Sequence, residues 1–148
     1  MTVTVAHALP ADLDALAALF DAYRQFYGQP ADPGAARDWL RQRLRFGESR
    51  ALLARLDGEP AGFAQLYPMF SSVRLARVWI LNDLFVLPAM RRRGVARRLL
   101  DAAAGFAGED GAAAIQLETT RDNAAARATY RAAGWHEDAT QWYSLPLC

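Results

Sequence analysis

The chain has 148 residues, 53% of them apolar and 22% charged, which excludes a disordered or fibrous protein and suits one domain with a real core. A net charge of +1 excludes a strong overall electrostatic attraction to nucleic acid or to an anionic membrane. All 17 basic residues are arginine, so lysine Schiff-base and P-loop-lysine chemistry are excluded as well.

The remaining composition narrows the class further. One cysteine, Cys148, makes no disulfide framework, and two histidines, His7 and His136, have no ligand partner at metal spacing. No metal is expected, and His7, His136 and Cys148 read as structural or terminal residues. The opening MTVTVAHALPADLDAL lacks a basic region followed by a long apolar one. No run reaches the roughly 18 apolar residues that span a bilayer. A cytoplasmic protein is expected, with no nucleic-acid or membrane partner.

Alternation in TVTVAHAL predicts a strand ending at Pro10. Leu13, Leu16, Leu19, Phe20, Tyr23 and Tyr27 then recur at helical spacing, with Gly28 as the stop. After the loop QPADPG, AARDWLRQRLRFG reads as a second helix presenting Trp39, Leu40 and Leu44. ALLARLDGEPAGFAQLYPMF reads as a hairpin turning at Asp57-Gly58. RVWILNDLFV is a long apolar strand, central and buried on both faces, which must leave the sheet at Pro88. A helix follows from about Gly94 to Ala107, then a strand in AAIQLETT. DNAAARATYRAAG is the last helix, with Asp122 as N-cap and Gly134 as stop, and WHEDATQWYSLPL closes the chain as one or two short strands. The order β-α-α-β-β-β-α-β-α-β, with a second closing strand as the variant, predicts an α/β or α+β fold, a central sheet covered by helices. No linker or repeat interrupts it, so residues 1–148 are expected to form a single domain.

The most concentrated feature is RRRGVARRLL, which brings five arginines within eight residues to the turn before a helix. It is either a solvated charge run or an anion site. The first N–H groups of a helix lack partners and the macrodipole is positive there, so phosphate is favoured. Gly94 lets the backbone approach a ligand, and Ala96 leaves the helix start uncrowded. Cations at a helix N-terminus oppose the dipole by roughly 0.3–1 kcal/mol each, so five of them make more sense with a polyanion. The stretch is neither a Walker loop nor a G-x-G-x-x-G fingerprint.

DLFVLPAMRRRGVARRLL resembles the acetyl-CoA motif of the GNAT acyltransferase superfamily, Q/R-x-x-G-x-G/A after a central strand, with Arg91, Gly94 and Ala96 at the fixed positions. DNAAARATYRAAGW resembles the family's later signature: Asn123, then Tyr130 on the next helix, then Gly134-Trp135. The element order fits over nearly the whole chain, and the nearest branch is that of polyamine and related small-amine acetyltransferases. The resemblance implies a GNAT-type mixed sheet, acetyl-CoA as the acyl donor and a homodimer, for which QWYSLPL offers an edge.

By the same resemblance the central strand splays from its neighbour, and Leu84, Phe85 and Val86 run beside pantetheine, one backbone N–H serving as oxyanion donor. The N–H groups of Arg92, Arg93, Gly94, Val95, Ala96 and Arg97 would bind pyrophosphate. Asn123 would contact the pantetheine arm and Arg127 approach the adenosine. Tyr130 would protonate the leaving thiolate, or else simply pack on the core. Polyamine-specific relatives carry Glu where this chain has Asn82, an amide that orients a water but accepts no proton. Two carboxylates in apolar strands remain as base or ammonium ligand, Asp83 and Glu118. Glu118 is preferred for its place near the C-terminal end of its strand; Asp83 reads equally as a structural hydrogen-bond acceptor.

Aromatic side chains suit an organic ammonium. Tyr23, Phe26 and Tyr27, Tyr67 and Phe70 with Ser71 and Ser72, and the walls Trp79 and Trp142 are candidates for the acceptor pocket, against the alternative that spaced aromatics build the core. The leading reading is N-acetylation of a primary amine on a small molecule. A protein N-terminus or side chain as acceptor, a non-catalytic acyl-CoA sensor and a nucleic-acid binder are the alternatives.

Overall fold

The computed structural model describes all 148 residues, Met1 to Cys148. Residues Met1–Glu118 form one compact unit and Thr119–Cys148 a second. No helix is long and apolar enough to cross a membrane.

The first unit holds β1 (Val3–His7), α1 (Leu13–Phe26), α2 (Pro33–Arg45), β2 (Arg50–Leu56), β3 (Glu59–Ser71), β4 (Ala76–Val86), α3 (Val95–Glu109) and β5 (Ala114–Gln116). The strands lie in the order β1-β2-β3-β4-β5. The first four pair antiparallel, and β5 pairs parallel to β4. This is the mixed sheet that the sequence predicts. The β2–β3 hairpin turns at Asp57 and Gly58, both left-handed at φ 51° and 85°, as a two-residue hairpin requires. β4 ends at Val86, and Pro88 opens a 3₁₀ turn through Met90, so the proline does end the strand.

Helices cover both faces of the sheet. Leu16, Leu19 and Phe20 of α1 and Ala36 and Leu40 of α2 pack on Leu53, Phe63 and Phe85. Each fully buried leucine there contributes about 2 kcal/mol of transfer free energy. On the opposite face α3 buries Leu99, Leu100 and Ala103, and its Phe106 meets the rings of Trp79 and His7, each with centroids 5.0 Å apart.

One irregularity decides which side chains meet. Leu66 pairs with Leu81 and Gln65 with Asp83, so Asn82 is an extra residue in β4, a β-bulge. A bulge shifts the in-out alternation by one position. Trp79 therefore points to α3, whereas Asp83 and Phe85 point to α1. Gly62 of β3 belongs to the same tight region: a Cβ there would lie 2.5 Å from the Phe85 carbonyl oxygen.

The second unit contains α4 (Ala124–Ala132), and three expectations change around it. Asn123 caps α4, its side chain accepting the Ala126 N–H at 3.2 Å, in place of Asp122. The strand expected in AAIQLETT is only Ala114–Gln116. No strand forms in the closing WHEDATQWYSLPL, where Trp142, Tyr143, Leu145 and Leu147 are exposed. A strand exists only with a partner ladder, and Pro146 removes a donor from this one.

Candidate active site

β4 is held by β3 along its whole length, from Ser71↔Ala76 to Gly62↔Val86. Its ladder with β5 covers only Val78↔Ala114, Trp79↔Ile115 and Ile80↔Gln116. β5 ends at Gln116 opposite Ile80, and the residues from Leu81 to Val86 have no β5 neighbour. The β4–β5 pairing thus stops short of the stretch where the sequence resemblance expects the strands to splay.

The chain then passes Pro88–Met90 and reaches α3 through Arg91–Gly94. Arg92 and Gly94 are both left-handed, at φ 61° and 78°. The first costs a non-glycine residue about 1–2 kcal/mol, which the neighbouring structure must impose. Left-handed residues in such a turn point successive N–H groups to one side, making an anion-binding concavity. Gly94 is the N-cap of α3 and brings no capping side chain, so the first helical N–H groups, those of Val95 and Ala96, face outward for an external acceptor. A Cβ at Gly94 would meet nothing within 4 Å, so the space in front of the turn is open.

The arginines themselves divide. Arg97 pairs with Asp101, 3.1 Å from both carboxylate oxygens. Arg91 reaches back along β4: its Nε donates to the Val86 carbonyl at 3.0 Å, and its guanidinium lies 5.6 Å and 5.8 Å from the ring centres of Phe26 and Phe85. Arg92 and Arg93 stay exposed at the turn.

Beside the half of β4 without a β5 partner the bulge presents a polar cluster on the α1 face. Asp83, 5% exposed, accepts from Gln65 Nε2 at 2.8 Å and from Asn82 Nδ2 at 3.0 Å. The Tyr23 phenol lies beside the carboxylate as a third polar neighbour that favours its charged form. Burial lifts the Asp83 carboxyl above the ordinary carboxylate range, and the three neighbours pull against that lift. Tyr23 rises well above an ordinary phenol, through burial first and the Asp83 charge second. Tyr67 is also raised, chiefly by burial, with the Trp39 hydrogen bond and the Arg43 charge opposing. Arg43 in turn stacks over Trp39 at 4.3 Å. Outward from Tyr23 lie Tyr27, 66% exposed with centroids 5.1 Å apart, and then Phe26.

The comparisons with known proteins give this architecture a family. The model of the acetyltransferase (GNAT) family matches residues 16–135. The chain belongs to the GNAT acetyltransferase family. It is 45% identical over 136 residues to an uncharacterized N-acetyltransferase, YhfO, of Bacillus subtilis (strain 168), across 92% of this chain and 91% of that protein. A crystal structure of a probable acetyltransferase superposes with a TM-score of 0.91 at 42% identity, covering 100% of this chain and 99% of the other. The fold alone also matches AAC(6')-Iy, solved in complex with the bisubstrate analog CoA-S-monomethyl-acetylneamine, at a TM-score of 0.81 and 22% identity over 100% of each chain. The protein is an N-acetyltransferase of the GNAT type.

Within this GNAT chain the expected site residues fall into three groups. Asn82, Asp83, Tyr23 and Tyr67 come together around the bulge, with Tyr27 just outside. Leu84, Phe85 and Val86 line the open half of β4, and residues 91–97 form the turn at its end.

Three expectations are overturned. Trp79 is 2% exposed, donates from Nε1 to Asp110 at 2.9 Å and packs on α3, so it is core on the wrong face for an acceptor wall. Phe70 sits at the far end of the β3–β4 hairpin opposite Arg77, about 17 Å along the strand from Gln65 at 3.4 Å per residue. With Ser71, Ser72, Leu75, Ala76, Arg77 and Asp110 it lines a shallow hollow of about 500 Å³ at the opposite end of β4 from the turn. Glu118 lies beyond β5 and is exposed, so the buried strand carboxylate expected there is absent.

The second unit is described by itself. The Asn123 side chain is engaged in capping, and Arg127 donates to the Arg121 carbonyl at 2.9 Å. The Tyr130 ring lies 6.4 Å from that of Trp135, whose N–H bonds the Tyr130 carbonyl at 3.0 Å. Sequence reasoning missed Gln65, Trp39 and Arg43. The signal for Gln65 was present: one amide in the apolar run AGFAQL, which must find a partner once buried.

Proposed function

We propose that this protein transfers an acetyl group from acetyl-CoA directly to the primary amine of a small molecule, an amine, amino acid or related metabolite, in the cytoplasm. Both units serve that reaction as one domain, in a homodimer. The observation that carries the reading is that β4 runs on without a β5 partner beyond Ile80 into the left-handed turn at Arg92–Gly94.

The residues fit the donor. An open strand edge suits an amide-bearing arm, and an uncapped helix start with glycine suits a diphosphate. Acetyl-CoA supplies an acyl group activated as a thioester. The backbone N–H groups of residues 92–97 hold the diphosphate, and those of Leu84–Val86 receive the arm and donate to the carbonyl oxygen where negative charge develops. Asp83 takes the role of the carboxylate nearest the amine, since Glu118 is exposed beyond its strand. Tyr130, at the tyrosine position of the family motif, is the donor to the departing thiolate.

The acceptor's character follows from what surrounds Asp83. A carboxylate behind aromatic rings attracts an ammonium group. Arg91 already occupies the faces of Phe26 and Phe85, and a second cation brought there meets like charge. A monoamine or an amine bearing its own carboxylate fits better than a polyamine.

The test is calorimetric titration with acetyl-CoA and dephospho-CoA, followed by thiol release with a panel of primary amines. Micromolar binding that weakens sharply in Gly94→Trp is the expected result. Absence of binding by the wild-type protein would overturn the reading. Tyr130→Phe should keep the binding and lose turnover.

A further inference from the structure

The bulge at Asn82 aims Asp83 into a place where no core needs a charge. We propose that Tyr23 and Asp83 form a proton relay for the acceptor amine, with Tyr23 as the group that meets the amine and Gln65 as the residue that positions Asp83. This rests on the acyl-transfer reading above.

Three features support it. Asp83 is almost completely buried and so unreachable by substrate directly, whereas Tyr23 is half-buried, has its phenol beside Asp83 and borders the exposed Tyr27 and Phe26. On the α1 side the Tyr23 hydroxyl stands between the exposed Tyr27 and the carboxylate. Second, Asp83 immediately precedes Leu84, where the open half of β4 begins to line the donor's path, so the relay ends beside the acyl group's place. Third, Gln65 is fully buried and its Oε1 has no hydrogen-bond partner. In the present state its Nε2 donates to the carboxylate at 2.8 Å. A half-turn of the amide would present Oε1 instead, the acceptor that a protonated Asp83 needs. An amide is the uncharged side chain able to serve both states of the acid. As a purely structural partner of a permanent carboxylate, it would leave that buried oxygen unexplained.

The step balances without a co-reactant. As the amine's lone pair bonds to the acyl carbon, one N–H bond breaks and its electron pair returns to nitrogen. The proton forms a new O–H bond on Tyr23, whose own proton moves to Asp83, leaving a neutral acid. Release to water after the product departs restores the carboxylate. The groups facing Asp83 are Tyr23 from α1, Gln65 and Tyr67 from β3, and Asn82 from β4. Tyr27 lies behind Tyr23, and Trp39 and Arg43 of α2 lie behind Tyr67.

Two measurements test the relay. In the acetyl-CoA assay with a monoamine, an amino acid and a diamine across pH 5.5–9.5, Tyr23→Phe is expected to lower kcat about 100-fold, in the range of general acid–base catalysis. It should leave acetyl-CoA binding unchanged and abolish the acid limb of the pH profile. Gln65→Leu should displace that limb, and Gln65→Glu should not restore it. Independently of any acceptor, the ¹³C-carboxyl signal of Asp83 should titrate above the ordinary aspartate range, and further upward in Tyr23→Phe, which loses a donor to the charged form. A Tyr23→Phe protein with wild-type turnover and pH limb, or an Asp83 midpoint that ignores Tyr23, would overturn the relay while the acyl-transfer reading stands. Failure of the wild-type protein to bind acetyl-CoA would overturn both.

Discussion

The two halves of the proposed site are built in opposite ways. On the donor side, backbone does the work: an unpaired stretch of β4, two left-handed residues and a helix start without a capping side chain. On the acceptor side, side chains from three elements converge on one carboxylate, Tyr23 from α1, Gln65 from β3 and Asn82 from β4. A backbone site tolerates changes of side chain and is broken by changes of conformation. A side-chain site is the reverse, and substitutions can separate the two.

The largest effects on donor binding should come from conformation. Gly94→Val forces a β-branched residue to adopt φ 78° or to move the turn. The strain of about 2 kcal/mol corresponds to roughly 30-fold weaker acetyl-CoA binding, read by calorimetry, if the turn relaxes to avoid it. Arg92→Ala and Arg93→Ala, which leave the N–H groups in place, should each cost less than about 5-fold, and an equal loss in all three would show that charge rather than backbone holds the donor. Gly62→Ala strikes where β3 approaches β4, since its Cβ meets the Phe85 oxygen at 2.5 Å. It should lower stability by about 1–3 kcal/mol in denaturant melts, and an unchanged midpoint would contradict the tight approach.

The same contrast explains what the sequence discloses. A backbone site needs glycine, small residues and a proline break at fixed spacing, and all of these are visible in LPAMRRRGVA, so the turn and its place after the long apolar strand were legible, although that strand, β4, is fourth of five in the sheet and not its centre. The α1 and α2 faces were legible too, from helical periodicity. The acceptor side depends on the bulge at Asn82, which no local residue announces. Strict alternation from Trp79 to Phe85 puts both on one face, and the bulge sends Trp79 to α3 instead. Tyr23 and Asp83 meet across 60 residues of chain, a contact that only the fold creates. Glu118 misled because the strand ends at Gln116, before the carboxylate.

A smaller effect lies in pH. The folded protein raises the Asp83 carboxyl above its ordinary value of 3.8, so the folded state binds that proton more tightly than the unfolded one does. Asp83 therefore makes the protein lose stability as pH rises from about 4 through the folded value, and adds no slope above it. Asp83→Asn should remove that part of the slope in thermal melts between pH 3.5 and 7, while acetyl-CoA binding stays intact. An identical slope in the variant would mean that Asp83 is not held against its own charge.

The smallest effect tests the donor side from the charge direction. Arg97 and Asp101 are one helical turn apart and half exposed, at 49% and 54% of side-chain surface, so their pairing contributes only about 0.3–0.5 kcal/mol to stability. Asp101→Ala removes one partner of Arg97 and takes a negative charge away from the mouth of the turn. If backbone N–H groups carry the binding, the loss of that negative charge should tighten acetyl-CoA by no more than about 2-fold in low salt, a gain that fades as the Debye length falls to about 8 Å at 0.15 M. A gain of ten-fold or more would place the arginines, rather than the left-handed turn, at the centre of donor recognition, and the two halves of the site would then differ less than their construction suggests.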